Sequence, residues 1–437
     1  MLGKRMLLFI LLLSGSLAGS LVTAFAAAVI YGERSTPDYW LARTPQAEEV
    51  LLTPQQIADQ NADMLLRDES LKDLAAYPES LNGREVRQHI MAAMQDFWQE
   101  ALPVEYVGQE LLSESSWRAA RSNCNLNALE DNIEVRYAVT VARANLRLLP
   151  VSEAWSAKPG AGSFDALQGT ALDPAEAVII ELDSADGQFA FVQAEDYKGW
   201  VLWSDLALAD REDWLRYAQP QQVAVVTAYR KGFAAGGRNQ LYQMGAAIPL
   251  GQVEGLAGLF TSAPLGLLLP VREADGSLSI ENHAPSYDES LHEGYLPCTR
   301  AGFIRQAFKF LGQPYGRGGL RDSVDSASFV QDVYHAMGLK VPRKVEQQEI
   351  ALLKQIKLGG LTAEARSTTL KNTAEPGDML FEPGHVMMYL GMDAEVTPII
   401  IHAASQADSV VVSDLYCPGS DGQPMLDNLT SVAGIWH

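Results

Sequence analysis

The chain has 437 residues, 47% hydrophobic and 20% charged, an ordinary composition for several globular domains. Its 54 Asp and Glu outnumber its 33 Lys and Arg, and the net charge of −21 disfavours nucleic acid and anionic membrane surfaces as partners. Three cysteines, Cys124, Cys298 and Cys417, allow one disulfide at most; neither they nor the seven scattered histidines form a metal-ligand pattern, so no metal or cofactor is expected.

The first segment, 1–30, has the form of an export signal or membrane anchor. Lys4 and Arg5 precede an unbroken apolar run at 6–13, and small residues follow to Ala28. A cut after Ala26 satisfies the small-residue rule through Ala24-Phe25-Ala26; left uncut, 6–31 is long enough to anchor the chain. Leu17-Ala18-Gly19-Ser20 has the form of a lipoprotein cleavage box without its lipid-bearing cysteine, and a chance match explains it nearly as well. Residues 31–110 are expected to hold a linker, over about 31–46, and a helical cap. Thr53-Pro54-Gln55-Gln56 reads as a helix start with a capping box, followed by the apolar stripe Ile57, Met64 and Leu65. A second helix is expected over about 84–101, with Val86, Ile90, Met94, Phe97 and Trp98 on one side.

From about Asn132 the pattern changes to short alternating strands at 135–141, 144–150, 177–182, 189–192 and 199–202, with a turn at Ser184-Ala185-Asp186-Gly187. Short strands and glycine turns predict a small β-barrel over 111–215. A weaker β segment, with Val223-Ala224-Val225-Val226 and 244–250, predicts a second over 216–290. Tyr137, Trp200 and Trp203 either reach a cleft or fill the barrel, and core is the better reading for Trp200. From 291 to 437 the order is helices first, then strands. Thr299 caps a helix with Phe303, Ile304, Ala307, Phe308 and Leu311 on one face. A second helix over 326–337 turns Phe329, Val330, Val333, Tyr334 and Met337 inward, and strands follow at 379–381, 386–390 and 398–402.

Three polar residues stand where a nucleophilic site needs them. Ser326 opens a helix after the glycine-rich turn Pro314-Tyr315-Gly316-Arg317-Gly318-Gly319. His385 follows Gly384 at a strand start, and His402 lies toward the end of the next strand, where antiparallel pairing brings it beside His385. A helix N-terminus supplies a positive dipole end and free N–H groups, which suit a nucleophile and an oxyanion.

On these motifs, residues 294–402 resemble the NlpC-type cell-wall peptidases, which are papain-like. The matching runs are Gly294-Tyr295-Leu296-Pro297, Val341-Pro342-Arg343 with Gln348, Glu375-Pro376-Gly377-Asp378-Met379-Leu380-Phe381, Gly384-His385-Val386 and Ile401-His402-Ala403. Residues 144–147, 164–168 and 197–201 resemble the bacterial SH3-like domain. The fold class implied is multidomain α+β, a papain-like α+β peptidase domain preceded by a short helical segment and two small SH3-like β-barrels, which either bind the wall or only shape the cleft. The resemblance implies hydrolysis of the γ-D-glutamyl–diamino acid bond of peptidoglycan stem peptides. It assigns Ser326 the nucleophile position, His385 the base and His402 the orienting residue, with substrate contacts at Asp325, Tyr315, Arg343 and Gln348. The expected partners are a stem peptide and other cell-wall proteins, and the expected location is the periplasm or cell envelope.

The departures cluster at the nucleophile. The family's Asp-Cys-Ser is Asp325-Ser326-Ala327 here, the aromatic of its glycine-rich turn is Arg317, and its usual Asn-Ser is Lys344-Val345. Ala327 cannot hydrogen-bond a substrate amine, whereas Asp325 can. Three outcomes stay open: a peptidase impaired at Ser326 that binds or regulates, an active endopeptidase using Ser326, His385 and His402, and a non-enzymatic scaffold. Cys298 precedes a different helix and is the poorer nucleophile.

Overall fold

The computed structural model describes residues 29–99, 104–160, 164–252, 265–352, 354–419 and 421–434. The expected export segment, except its last residues, and the side chain of Trp98 lie outside them. No helix among the described residues is long and apolar enough to cross a membrane.

The expected linker is instead a strap. Residues Gly32–Ser35 form a 3-10 turn and Pro37–Leu41 a short helix. Trp40, 1% exposed, joins the core of the C-terminal domain, its indole donating to Arg34 O at 2.9 Å. Arg34 pairs with Asp393 at 2.7 Å, and Ile30 N donates to Val412 O. A five-residue helix is too short to show a period, so only the burial of Trp40 reveals the docking.

Helix α1 (Pro54–Arg67) begins with the expected capping box: Gln56 N donates to Thr53 Oγ1 and Thr53 N to Gln56 Oε1. Its Met64 packs into the C-terminal core, and Asn61 bonds both Gly338 O and Lys340 N. Helix α2 (Gly83–Gln99) packs Val86, Ile90, Met94 and Phe97 into a different core, that of the first β unit. The cap is thus divided between two domains. Helix α3 (Glu114–Asn123), which the strand pattern did not predict, starts on a Ser113 cap.

The first β unit contains β1 (Arg136–Thr140), β2 (Ala144–Arg147), β3 (Gln168–Leu172), β4 (Ala177–Asp183), β5 (Phe189–Gln193), β6 (Lys198–Leu202) and β7 (Leu206–Ala209). They form one antiparallel sheet in the order β7-β1-β4-β5-β6-β2-β3. The Ser184–Gly187 turn links β4 to β5, with Gly187 at φ 70°. Trp200 is fully buried edge-on to Phe191, and Tyr137 rests on Trp214 of helix α4 (Arg211–Ala218), so these aromatics build the domain and not a cleft.

The second unit comprises β8 (Val223–Val226), β9 (Arg230–Ala235), β10 (Arg238–Gln243), β11 (Ala247–Gln252), β12 (Leu265–Arg272), β13 (Leu278–His283) and β14 (Leu291–Glu293). Its five-stranded sheet has the order β13-β12-β11-β8-β14, and β9 and β10 form a separate hairpin.

The C-terminal domain opens with α5 (Arg300–Phe308), capped by Thr299, whose hydroxyl accepts from Gly302 N at 2.9 Å. Helices α6 (Ser326–His335) and α7 (Val345–Ala351) follow, then β15 (Lys354–Lys357) and α8 (Ala363–Thr373). Strands β16 (Met379–Glu382), β17 (His385–Met392), β18 (Pro398–Ala404), β19 (Ser409–Asp414) and β20 (Ser431–Gly434) join β15 in an antiparallel sheet of order β15-β20-β16-β17-β18-β19. Phe329, Val330 and Val333 of α6 share a core with Val386, Met388, Ile399 and Ile401 of the sheet. Met387, Tyr389 and Ile400 alternate into a second core with Leu370 of α8.

Candidate active site

Strand register brings the histidines together. His385 opens β17 and His402 lies near the end of β18; with Met388 opposite Ile401, the two are diagonal neighbours on one face. His385 Nε2 meets His402 Nδ1 at 2.8 Å. His402 Nε2 meets Ser413 Oγ at 3.0 Å on β19, which sequence reasoning missed because nothing local marks a serine in a valine-rich strand. This relay orients His385 and leaves its Nδ1 for a nucleophile.

Burial pushes the His385 imidazole down to about 4, against a pull upward from Asp325, and holds His402 well below its usual range. Both rings are therefore neutral near neutral pH. The folded value lies below the ~6.5 of a free imidazole. The stability tied to the neutral ring is thus present above pH ~6.5 and lost as pH falls toward 4. Substituting His385→Gln is expected to flatten this dependence: the urea midpoint should fall less between pH 7 and pH 4.5 than in the wild type. Equal slopes would mean that the ring titrates as in water.

Ser326 is the first residue of α6 and is 6% exposed. Among the described residues no hydrogen bond joins its hydroxyl to His385. Asp325 caps the helix: Ser328 N donates to Oδ1 at 2.8 Å, and Asp325 N donates to Ser328 Oγ at 3.0 Å. Its other oxygen accepts from Gly318 N at 2.9 Å and from Arg343 Nη2 at 2.8 Å. Burial alone would raise the Asp325 carboxyl, but the Arg343 charge and these bonds hold it at about 2. The carboxylate expected to meet a substrate amine is therefore already neutralised.

Arg343, 5% exposed, also donates through Nε to Thr170 Oγ1 of β3 at 2.7 Å. Gln348 is fully buried and donates to Ala327 O and Pro342 O. It braces the nucleophile loop from within and does not reach the cleft surface as a substrate contact would. Tyr315 is half-buried, and burial with the Asp325 charge pushes its phenol up to about 12. Arg317 is pulled down by burial and up by Asp325, so the residue in place of the family's aromatic adds a guanidinium to the same electrostatic field. Lys344 lies 5.3 Å over the Tyr197 ring of the first β unit.

The first β unit walls the nucleophile loop. Gln168 Nε2 donates to Gly318 O at 3.1 Å. Gly318, at φ 62°, is pressed so close that an added Cβ would lie 2.7 Å from Gln168 Cγ and 3.1 Å from two backbone oxygens. Gly318→Ala is expected to cost about 1–3 kcal/mol, from left-handed strain plus the clash. Gly360→Ala, at φ 81° with open space around it, pays only the strain. Equal losses in urea denaturation of the two variants would contradict the packing argument.

The three cysteines are free and buried, so the single disulfide the count permitted is absent. Burial pushes the Cys298 thiol up to about 12, which removes it as a nucleophile.

A helix-start serine and a two-histidine relay thus lie in one helix-and-sheet domain whose glycine-rich turn packs against a small β domain. Residues 312–423 match the NlpC/P60 family model, and 156–202 match that of the SH3 domain of SH3b1 type. The chain thus carries an SH3b domain followed by an NlpC/P60 domain. An NlpC/P60 endopeptidase from Photobacterium damselae subsp. piscicida is similar in fold, with a TM-score of 0.70 at 16% identity, covering 89% of this chain and 94% of that one. An NlpC/P60 family protein from Bacillus cereus ATCC 10987 aligns at a TM-score of 0.48 and 17% identity, over 69% of this chain and 100% of that one. No curated protein matches the sequence.

Proposed function

We propose that this is an exported cell-wall protein that holds a peptidoglycan stem peptide in a peptidase-type cleft without cutting it, or with severely weakened cutting. The observation that carries this reading is a His385 depressed to about 4 that makes no hydrogen bond to the un-ionised Ser326 among the described residues. A thiol site works from a pre-formed thiolate beside an imidazolium, whereas a serine must surrender its proton to the base during reaction. A base so far below the working pH accepts that proton poorly. Losing a positioned nucleophile costs several powers of ten in rate, which leaves binding and oxyanion contributions. The apolar run behind Lys4 and Arg5 supports a place in the periplasm or cell envelope. The docking of the SH3b domain on the nucleophile loop supports a role in shaping the cleft.

The test is incubation of the purified protein with L-Ala-γ-D-Glu-diaminopimelate, followed by product analysis and a binding titration. Saturable binding without cleavage is expected. Release of L-Ala-γ-D-Glu that disappears in Ser326→Ala would identify an active serine endopeptidase instead. Neither cleavage nor binding would leave a scaffold for protein contacts.

A further inference from the structure

The side of α6 away from the sheet faces a cavity of about 890 Å³, enclosed by α1, both β units and the C-terminal domain. Ser326, His385 and His402 do not line it. Helix α6 presents Ser328, Gln331, Asp332 and His335 to it, the i, i+3, i+4, i+7 stripe opposite the one packed on the sheet. Leu52, Ile57, Leu172 and Met244 supply an apolar part of the wall.

The polar part is rich in acceptors, and of its four Lys and Arg side chains all but Lys72 are already paired with carboxylates. Arg143 pairs with Asp173 at 2.5 Å, Lys340 with Glu195, and Arg343 with Asp325. Glu176, Asp196 and Asp332 are left without an ion pair among the described residues. Asp173 N donates to Glu176 Oε1, and Gln331 Nε2 donates to Asp196 Oδ2. No hydrogen bond reaches the Asp332 carboxylate among the described residues. Gln331, 5% exposed, donates its amide to Asp196 and to Val341 O at 2.9 Å, so both neighbours fix its orientation. Its Oε1 is then an acceptor with no donor among the described residues. Burial holds Asp332 and Glu176 well above the ordinary carboxylate range, outweighing the downward pull of Arg143 on both and of Arg343 on Asp332. A buried wall of this kind is matched by a ligand that brings several N–H donors and positive charge, and the apolar part is matched by methylenes.

We propose that this cavity binds an aliphatic di- or polyamine, with its ammonium groups among Asp332, Glu176 and Gln331 and its methylene stem along Leu52, Ile57 and Met244. The lining shares Arg343 with the expected peptide cleft but none of Ser326, His385 and His402, and the proposal stands whether or not the cleft binds stem peptide.

Calorimetric titration of the full chain with cadaverine and with spermidine, at about 150 mM salt to screen surface charge, tests it. One saturable site is expected, weakened tenfold or more in Asp332→Asn and in Glu176→Gln. Ala58→Trp, a neutral change at an exposed lining position, is expected to block binding without altering charge and serves if a carboxylate variant fails to fold. Asp427→Asn, exposed and remote from the cavity lining, is expected to bind as the wild type does. Competition of cadaverine by a diaminopimelate muropeptide would assign the amine to wall peptide, and failure to compete would assign it to free polyamine. Non-saturable uptake, or equal affinity in the Asp332, Glu176 and Ala58 variants, would overturn the proposal.

Discussion

Arg343→Met is expected to lower stability at neutral pH by about 3–5 kcal/mol, the usual cost of leaving one member of a buried ion pair without its partner. Arg343 is almost wholly buried and touches two domains, donating to the Asp325 carboxylate at 2.8 Å and to the Thr170 hydroxyl at 2.7 Å. Removing it strands the Asp325 carboxylate at the helix start. Much of the loss should be recovered in Arg343→Met with Asp325→Asn, because the neutral amide no longer requires a cation. In the wild type the folded carboxyl sits at about 2, below the ~3.9 of the unfolded chain. Its contribution is therefore complete above pH ~4 and is lost as pH falls through about 2. Urea denaturation of the two single variants and the double variant measures the coupling. Strictly additive losses would mean that Arg343 acts only through Thr170 and packing.

Ser326→Cys is expected to create an activated thiol without restoring hydrolysis. The α6 N-terminus and the nearby His385 favour a thiolate, so the new cysteine should ionise below the ordinary ~8.5. At pH 7 it should react with iodoacetamide on the order of a hundredfold faster than the buried native thiols, two of which are pushed up to about 12. The thiolate should in turn hold a proton on His385, which the serine protein cannot do. Cleavage of L-Ala-γ-D-Glu-diaminopimelate should still be missing, because Arg343 neutralises the carboxylate that would hold the substrate amine and Ala327 offers no hydroxyl. Hydrolysis returning by several powers of ten on this single change would show that the substrate pocket is intact and that only the nucleophile was lost. A thiol no more reactive than the native ones would mean that this helix start is not arranged to activate it.

Much of this was legible in the residues. The capping box at Thr53, the cap at Thr299, the inward stripe of α6 and the strands carrying His385 and His402 all depend on neighbours a few positions apart. Their periods and turn residues therefore appear in the sequence. What failed lacked such a signal. The docking of Trp40 needs a whole domain as its partner. Helices α3 and α4 are short and lie in a stretch read for strands. Gln348 carries a motif that suggested a substrate contact, yet its amide is turned inward onto Ala327 O and Pro342 O.

The sequence by itself determined the order of elements, the two domain classes and the serine that opens α6, because each rests on local periodicity, on short motifs or on the identity of a residue. Only the tertiary structure decided what surrounds that serine. Thr170 and Arg343 lie 173 residues apart, and Gln168 and Gly318 lie 150 apart. No local pattern couples positions so distant; they meet because two separately folded surfaces bury each other. That contact holds Arg343 on Asp325 in a buried ion pair and encloses a cavity rich in carboxylates behind the helix.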